Sequence, residues 1–260
     1  MIAKQIFDYY FFGTSQRYLQ DAEAGWRIHD TEDGLYVLEN LKGFLKNLDR
    51  LGLQVTKRAA SGIQGFTSSL EQLPADSKLT ADQALKLTSL MNEVRTTLDA
   101  ELKGLIAYVV TPKRYEAARL LDDIPELLSP GTFNKLPEIS RYDLSESGKC
   151  IAFERPTAAA FHLLRATESA LREYYCTKVK RGRSELMWGP MLQSLRKRRD
   201  MRSQSSLLNN LDDIRLTFRN PTQHPEKIYD IHEVQDLLGR CTDALNRMAK
   251  ELPETMSAGT

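Results

Sequence analysis

The feature that most limits what this chain can fold into is the spacing of its leucines. Leu35, Leu38, Leu41, Leu45, Leu48 and Leu51 recur at steps of three and four, and Leu87, Met91, Val94, Leu98, Leu102, Leu105 and Val109 repeat the pattern farther on. That period lines up apolar side chains along one face of a helix. Alternating Val/Ile/Thr runs and Asn-Gly turns, the marks of strands and hairpins, are scarce. An all-α fold is expected.

A first helix is expected over roughly 31–58, capped at Asp30 or Thr31, with Glu32 and Asp33 complementing the dipole in its first turn. Gly43 and Gly52 weaken it and allow a bend or an early end. A Gly/Ser-containing link, Ser61-Gly62 to Asp76, follows. Thr80-Ala81-Asp82-Gln83 reads as a capping box that opens a helix over about 80–110. The two leucine-rich helices are expected to pair antiparallel or along a coiled-coil-like seam, as bundle core or as a dimerisation surface. Thr111-Pro112 opens a short helix to about 122, and Pro125 opens another turn. Between 129 and 149 turn formers cluster (Ser129-Pro130-Gly131, Pro137, Ser145-Glu146-Ser147-Gly148), so this stretch is expected to be a linker. Beyond it, helices are expected from Pro156 to about 177, near 188–198, over 203–219 with Pro221 as the stop, and over 230–251. The expected organisation is an N-terminal helical pair or bundle over 1–128 for dimerisation or regulation, a linker at 129–149, a second helical bundle over 150–252, and a disordered tail at 253–260.

Net charge is +1, so the molecule as a whole does not attract polyanions, and any nucleic-acid surface must be a local patch. The three cysteines, Cys150, Cys176 and Cys241, form no CxxC pair, and an odd number closes no disulfide framework. Reduced thiols in the cytoplasm are the expectation. His29, His162, His224 and His232 lack metal-site spacing, and no P-loop or Rossmann glycine pattern occurs, so no metal and no cofactor is expected. The aromatic run Phe7 to Phe12 is too short for a signal peptide, and no stretch reaches the roughly 20 apolar residues of a membrane span.

The segment that carries chemistry is Arg219-Asn220-Pro221-Thr222-Gln223-His224, placed between two amphipathic helices. Histidine exchanges protons near neutral pH, arginine clamps phosphate through two nitrogens, and an amide can orient either one. Here the chain resembles the HEPN families. Their signature is an arginine, a polar residue such as Asn beside it, and a histidine a few residues on, between the last two main helices of a small bundle. Arg219, Asn220 and His224 match these positions, and the resemblance covers roughly 150–252. It implies RNA as partner, a homodimer in which two motifs face one cleft, and metal-independent cleavage to a 2′,3′-cyclic phosphate. It also implies a place in bacterial stress response or phage defence; a regulatory protein partner is left open. The open alternatives are a non-catalytic RNA- or protein-binding module of the same fold, and a helical adaptor led by the leucine helices.

His162, Arg165 and Glu168 are three residues apart and form one polar stripe. HEPN domains often carry an acidic or polar residue on an earlier helix near the Arg/His pair, and Glu168 is the candidate for it. Asp212 or Asp213 could orient Arg215 or Arg219. Arg165, Arg181, Arg183, Arg196, Lys197, Arg198 and Arg215 are the candidate RNA-binding cations, with Trp188 as a stacking ring. Some HEPN toxins carry a tyrosine two residues after the histidine, the target of a modifying antitoxin. Glu226 stands there in this chain, and Tyr229 is the nearest tyrosine.

Overall fold

A computed structural model describes residues 5–29, 36–179 and 187–253. The fold is all-α, and among the described residues the extended pairing is limited to an isolated antiparallel bridge between Arg27 and Lys78. The chain divides into two compact units, Met1–Tyr108 and Val109–Thr260, each with its own hydrophobic core.

The first unit contains α1 (Ile6–Gln20), α2 (Val37–Leu51), α3 (Gln54–Ala59), α4 (Ser61–Glu71) and α5 (Ala81–Lys103). Leu38, Leu41, Leu48 and Leu51 are buried on α2, as their spacing requires. The proposed caps Asp30 and Thr31 lie outside the described residues. The helix ends sooner than 58. Gly52 adopts φ 73°, a left-handed conformation open to glycine, and Leu53 N–H bonds Leu48 O at 2.9 Å. The chain then restarts as α3, whose first N–H groups are capped from α5. Glu101 accepts from Val55 N–H (3.1 Å), Thr56 N–H (2.8 Å) and the Thr56 hydroxyl (2.6 Å). The segment read as a Gly/Ser link is helical over most of its length. Ile63, Phe66 and Leu70 bury one face of α4, and this apolar stripe outweighs the low helix propensity of Gly62 and Gly65.

The capping box at Thr80 is present: its hydroxyl accepts from Gln83 N–H at 3.2 Å, and Gln83 accepts from Thr80 N–H at 2.9 Å. Helix α5 ends at Lys103, not near 110, because Gly104 follows; Leu105 and Val109 are exposed. The leucine helices also do not form a simple pair. Helix α1 packs on both α2 and α5, and Phe12 stacks on Phe44 with ring centroids 4.9 Å apart.

The second unit contains α6 (Ala117–Leu121), a 3₁₀ turn (Ile124–Leu127), α7 (Thr132–Lys135), α8 (Glu138–Ala152), α9 (Pro156–Val179), α10 (Trp188–Arg196), a second 3₁₀ turn (Arg199–Gln204), α11 (Ser205–Ile214), a π turn (Arg215–Arg219), α12 (Asn220–Thr222) and α13 (Ile231–Ala249). The expected linker at 129–149 is overturned, since α7 and most of α8 occupy it and the division falls after Tyr108. Its small polar residues are a packing surface. Ser140, Ser147 and Gly148 are buried, the Ser140 hydroxyl donates to Ala166 O of α9 at 2.8 Å, and a Cβ on Gly148 would stand 2.3 Å from Leu120 O. Small residues let α8 approach α9 and α6 closely, which is why the stretch has no leucine stripe to read. Pro156 opens α9 as its first residue, a position where the missing N–H costs nothing. Asp230 caps α13 by accepting from His232 and Glu233 N–H groups, and Glu233 accepts in return from Asp230 N–H.

Candidate functional site

The helix expected to stop before Pro221 runs past it. After Ile214 the backbone widens into the π turn, and α12 carries Pro221 directly behind it. A wider turn gives the proline ring room and does not require the N–H that proline lacks. The return path is clamped by Tyr229, which is buried, stacks on Phe218 at 6.2 Å and lies 2.7 Å from the Thr222 hydroxyl. Both hydroxyls reach the Phe218 carbonyl, at 2.6 Å from Thr222 and 3.0 Å from Tyr229. Burial pushes the Tyr229 phenol above its ordinary pKa. This tyrosine holds the turn together and does not face solvent.

The π turn delivers Arg219 to the wall of a cleft of about 260 Å³, lined also by Phe161, His162, Leu164, Arg165 and Glu168 of α9 and by Thr222 and Gln223. Arg219 Nη2 stands 3.5 Å from Glu168 Oε2, and the other Glu168 oxygen accepts from Arg172 at 2.7 Å. Glu168 therefore bridges two guanidinium groups. His162 and Arg165 converge on Asp143 of α8, which is 0 % exposed. His162 Nδ1 is 2.8 Å from Asp143 Oδ1, while Arg165 donates through Nε to Oδ2 and through Nη2 to Oδ1, both at 2.5 Å. Hydrogen bonding to Asp143 raises the Arg165 guanidinium above its ordinary pKa. A buried carboxylate needs such donors, because alone it would lose several kcal/mol of hydration.

The structure thus brings Glu168, Arg165 and Arg219 together, with His162 beside them. Asn220 and His224 are exposed and do not line this cleft; His224 N–H bonds Pro221 O at 2.9 Å in the turn that follows. Asp143 went unseen because it lies in the stretch read as a linker. A usable signal was Asp143 two residues after Arg141 and one before Leu144, in a segment whose Leu144 and Ile151 are seven apart on one helical face.

The other expected cations fall elsewhere. Asp212 accepts from Arg215 at 3.0 and 2.8 Å and lies 3.4 Å from Arg196, which also bonds Asn209 and Leu208 O. Asp213 pairs with Arg240, not with Arg219. Arg198 chelates Asp200, Lys197 is exposed, and Arg181 and Arg183 lie outside the described residues. Trp188 is 2 % exposed and donates its indole N–H to Leu211 O at 3.2 Å, so it is a core residue and cannot stack on a base. Among the described residues no group of His, Cys, Asp or Glu side chains is arranged to hold a metal ion, and no helix is long and apolar enough to cross a membrane. Compared with models of known protein families, with curated proteins and with solved structures, the chain matches none.

Proposed function

We propose that the second unit is a HEPN-like RNA-binding bundle that cuts RNA without a metal ion, acting as a homodimer. One observation carries this reading. The motif arginine Arg219 is met by the acidic residue of the earlier long helix, Glu168, in the wall of a cleft. The ribose 2′-oxygen attacks the neighbouring phosphorus, the bond to the 5′-oxygen breaks, and a 2′,3′-cyclic phosphate and a 5′-hydroxyl result. Arg219 stabilises the charge on the phosphorane oxygens, His224 takes or returns the proton, and Asn220 orients the histidine or the phosphate. The exposed positions of Asn220 and His224 leave both side chains open to a strand or to the motif of a second copy.

The test is incubation of the purified protein with total RNA in EDTA, alongside Arg219→Ala and His224→Ala. Cleavage by the wild type that falls about 100-fold or more in both variants supports the nuclease. Equal cleavage by wild type and His224→Ala sinks the assigned role of that histidine. The placement of His224 outside the cleft favours a second reading, RNA binding without cutting. Wild-type protein that retains RNA in a salt-sensitive manner but leaves it intact selects that reading.

A further inference from the structure

Asp143 and His162 take no part in the cleavage proposed above, yet Asp143 is fully buried and both His162 and Arg165 bond it. A carboxylate only accepts, so the 2.8 Å contact places the His162 proton on Nδ1 and leaves Nε2 as the ring nitrogen open to a ligand. Arg165 meets Asp143 through Nε and Nη2, and its side chain remains 61 % exposed, so Nη1 can reach a ligand as well. Arg165, Arg172 and Arg219 face Asp143 and Glu168, which leaves one positive charge in excess even with His162 neutral. A cleft of this balance attracts an anion.

The neighbouring side chain says which anion. Phe161 precedes His162, lines the same cleft and is 51 % exposed. An aromatic face held beside phosphate-binding cations is the arrangement that binds single-stranded nucleic acid one base at a time. With Trp188 buried, Phe161 is the ring at this cleft that can do so.

We infer that the cleft seats one nucleotide unit, with its phosphate between Arg165 and Arg219, its base against Phe161, and Asp143 fixing the imidazole so that Nε2 accepts from a ribose hydroxyl. This deepens the RNA-binding reading by naming the part of the strand that the cleft takes. Asp143 is a positioning residue here, and it acts through His162 and Arg165.

The experiment follows the histidine ring signals of the intact protein by NMR, with His162 assigned by their loss in His162→Gln. The probes are adenosine monophosphate, adenosine and inorganic phosphate. The monophosphate is expected to shift the His162 signals saturably, with adenosine and phosphate each binding about tenfold more weakly or worse. Arg219→Gln and Phe161→Ala are each expected to weaken the monophosphate about tenfold. Ring nitrogen shifts in the wild type should report the Nδ1–H tautomer, and Asp143→Asn should lose it. If that variant does not fold, the wild-type tautomer still decides the point, and an Nε2–H ring overturns the role of Asp143. Monophosphate binding that ignores Phe161→Ala overturns the base contact. A monophosphate that leaves the His162 signals unmoved while the protein still retains RNA overturns this site and spares the RNA reading. The converse, saturable monophosphate binding with no retention or cleavage of RNA, upholds this site and overturns the RNA reading.

Discussion

The two units bury their polar groups differently. Among the described residues, the buried polar side chains of the first unit are hydroxyls, Ser15, Thr56 and Thr67. Thr67 is satisfied on its own helix, donating to Ile63 O at 2.8 Å, and Thr56 donates across to Glu101 of α5 at 2.6 Å. The second unit buries Asp143 and Gln235 as well; Asp143 is met from α9, and Gln235 accepts from Arg114 N–H at 2.7 Å while donating to Ile231 O at 2.9 Å on its own helix. Burying an ionised group costs several kcal/mol unless its partners are well placed, so it is a weak means of gaining stability. The second unit tolerates that cost beside its cleft, and among the described residues the first unit buries no carboxylate. The contrast sets the second unit apart as the one that buries a carboxylate beside a cleft.

If that division holds, damage to one core should stay there. The largest expected effect is Phe44→Ala, which removes a fully buried ring and its stack on Phe12. It should cost about 4 kcal/mol. Hydrogen exchange should show lost amide protection over α1 to α5 and unchanged protection over α8, α9 and α13. Equal loss in both units would break the comparison. The mirror experiment is Gly148→Ala. The added Cβ falls 2.3 Å from the Leu120 backbone carbonyl, and backbone cannot turn aside as a side chain can. A cost of about 3 kcal/mol is expected in urea unfolding, with protection lost over α6, α8 and α9.

The difference in chemistry is sharpened by Asp143→Ala. Its partners His162 and Arg165 both reach water, so they can be solvated when the carboxylate is gone. The expected cost is about 2 kcal/mol, less than for a pair enclosed on all sides. A double-mutant cycle with Arg165→Ala should show clear coupling between the two sites, and additive losses would mean that the buried carboxylate is held by something else.

What could be read in advance follows the same line. Helices α5 and α13 announce themselves because an apolar stripe and an N-cap residue are both local facts of the chain, and α2 does so by its stripe and the Gly52 that ends it. The approach of Glu168 to Arg219 was legible from the pattern, but the placement of Asn220 and His224 outside the cleft was not. The stretch at 129–149 was not, because close helix packing is made by Ser140, Ser147 and Gly148, the same residue types that make turns. The error hid Asp143, and with it the reason His162 and Arg165 share a direction. Trp188 failed for the opposite reason. An indole next to a basic stretch looks like a stacking ring until the Leu211 carbonyl is found to hold it in the core. Pro221 reads as a helix stop unless the π turn before it is known, and π turns have no sequence signature of their own.

The smallest expected effect separates the two units by their capping boxes. Thr80 caps α5 with a neutral hydroxyl, and Thr80→Ala should cost about 1 kcal/mol at any pH where the protein is folded. Asp230 caps α13 with a carboxylate, and the backbone N–H of Glu233, foremost among its donors, holds its pKa below the ordinary aspartate value. A depressed carboxylate contributes in full above its unfolded pKa and loses that contribution as pH falls through the folded one. Asp230→Ala should therefore destabilise α13 near neutral pH and matter progressively less below about pH 4. Hydrogen exchange of the first turn of each helix, measured for both variants across that range, reads the two caps side by side. The α5 difference should stay flat while the α13 difference shrinks with acid. A flat response at both would mean that Asp230 holds its helix by hydrogen-bond geometry alone, with no share from its charge.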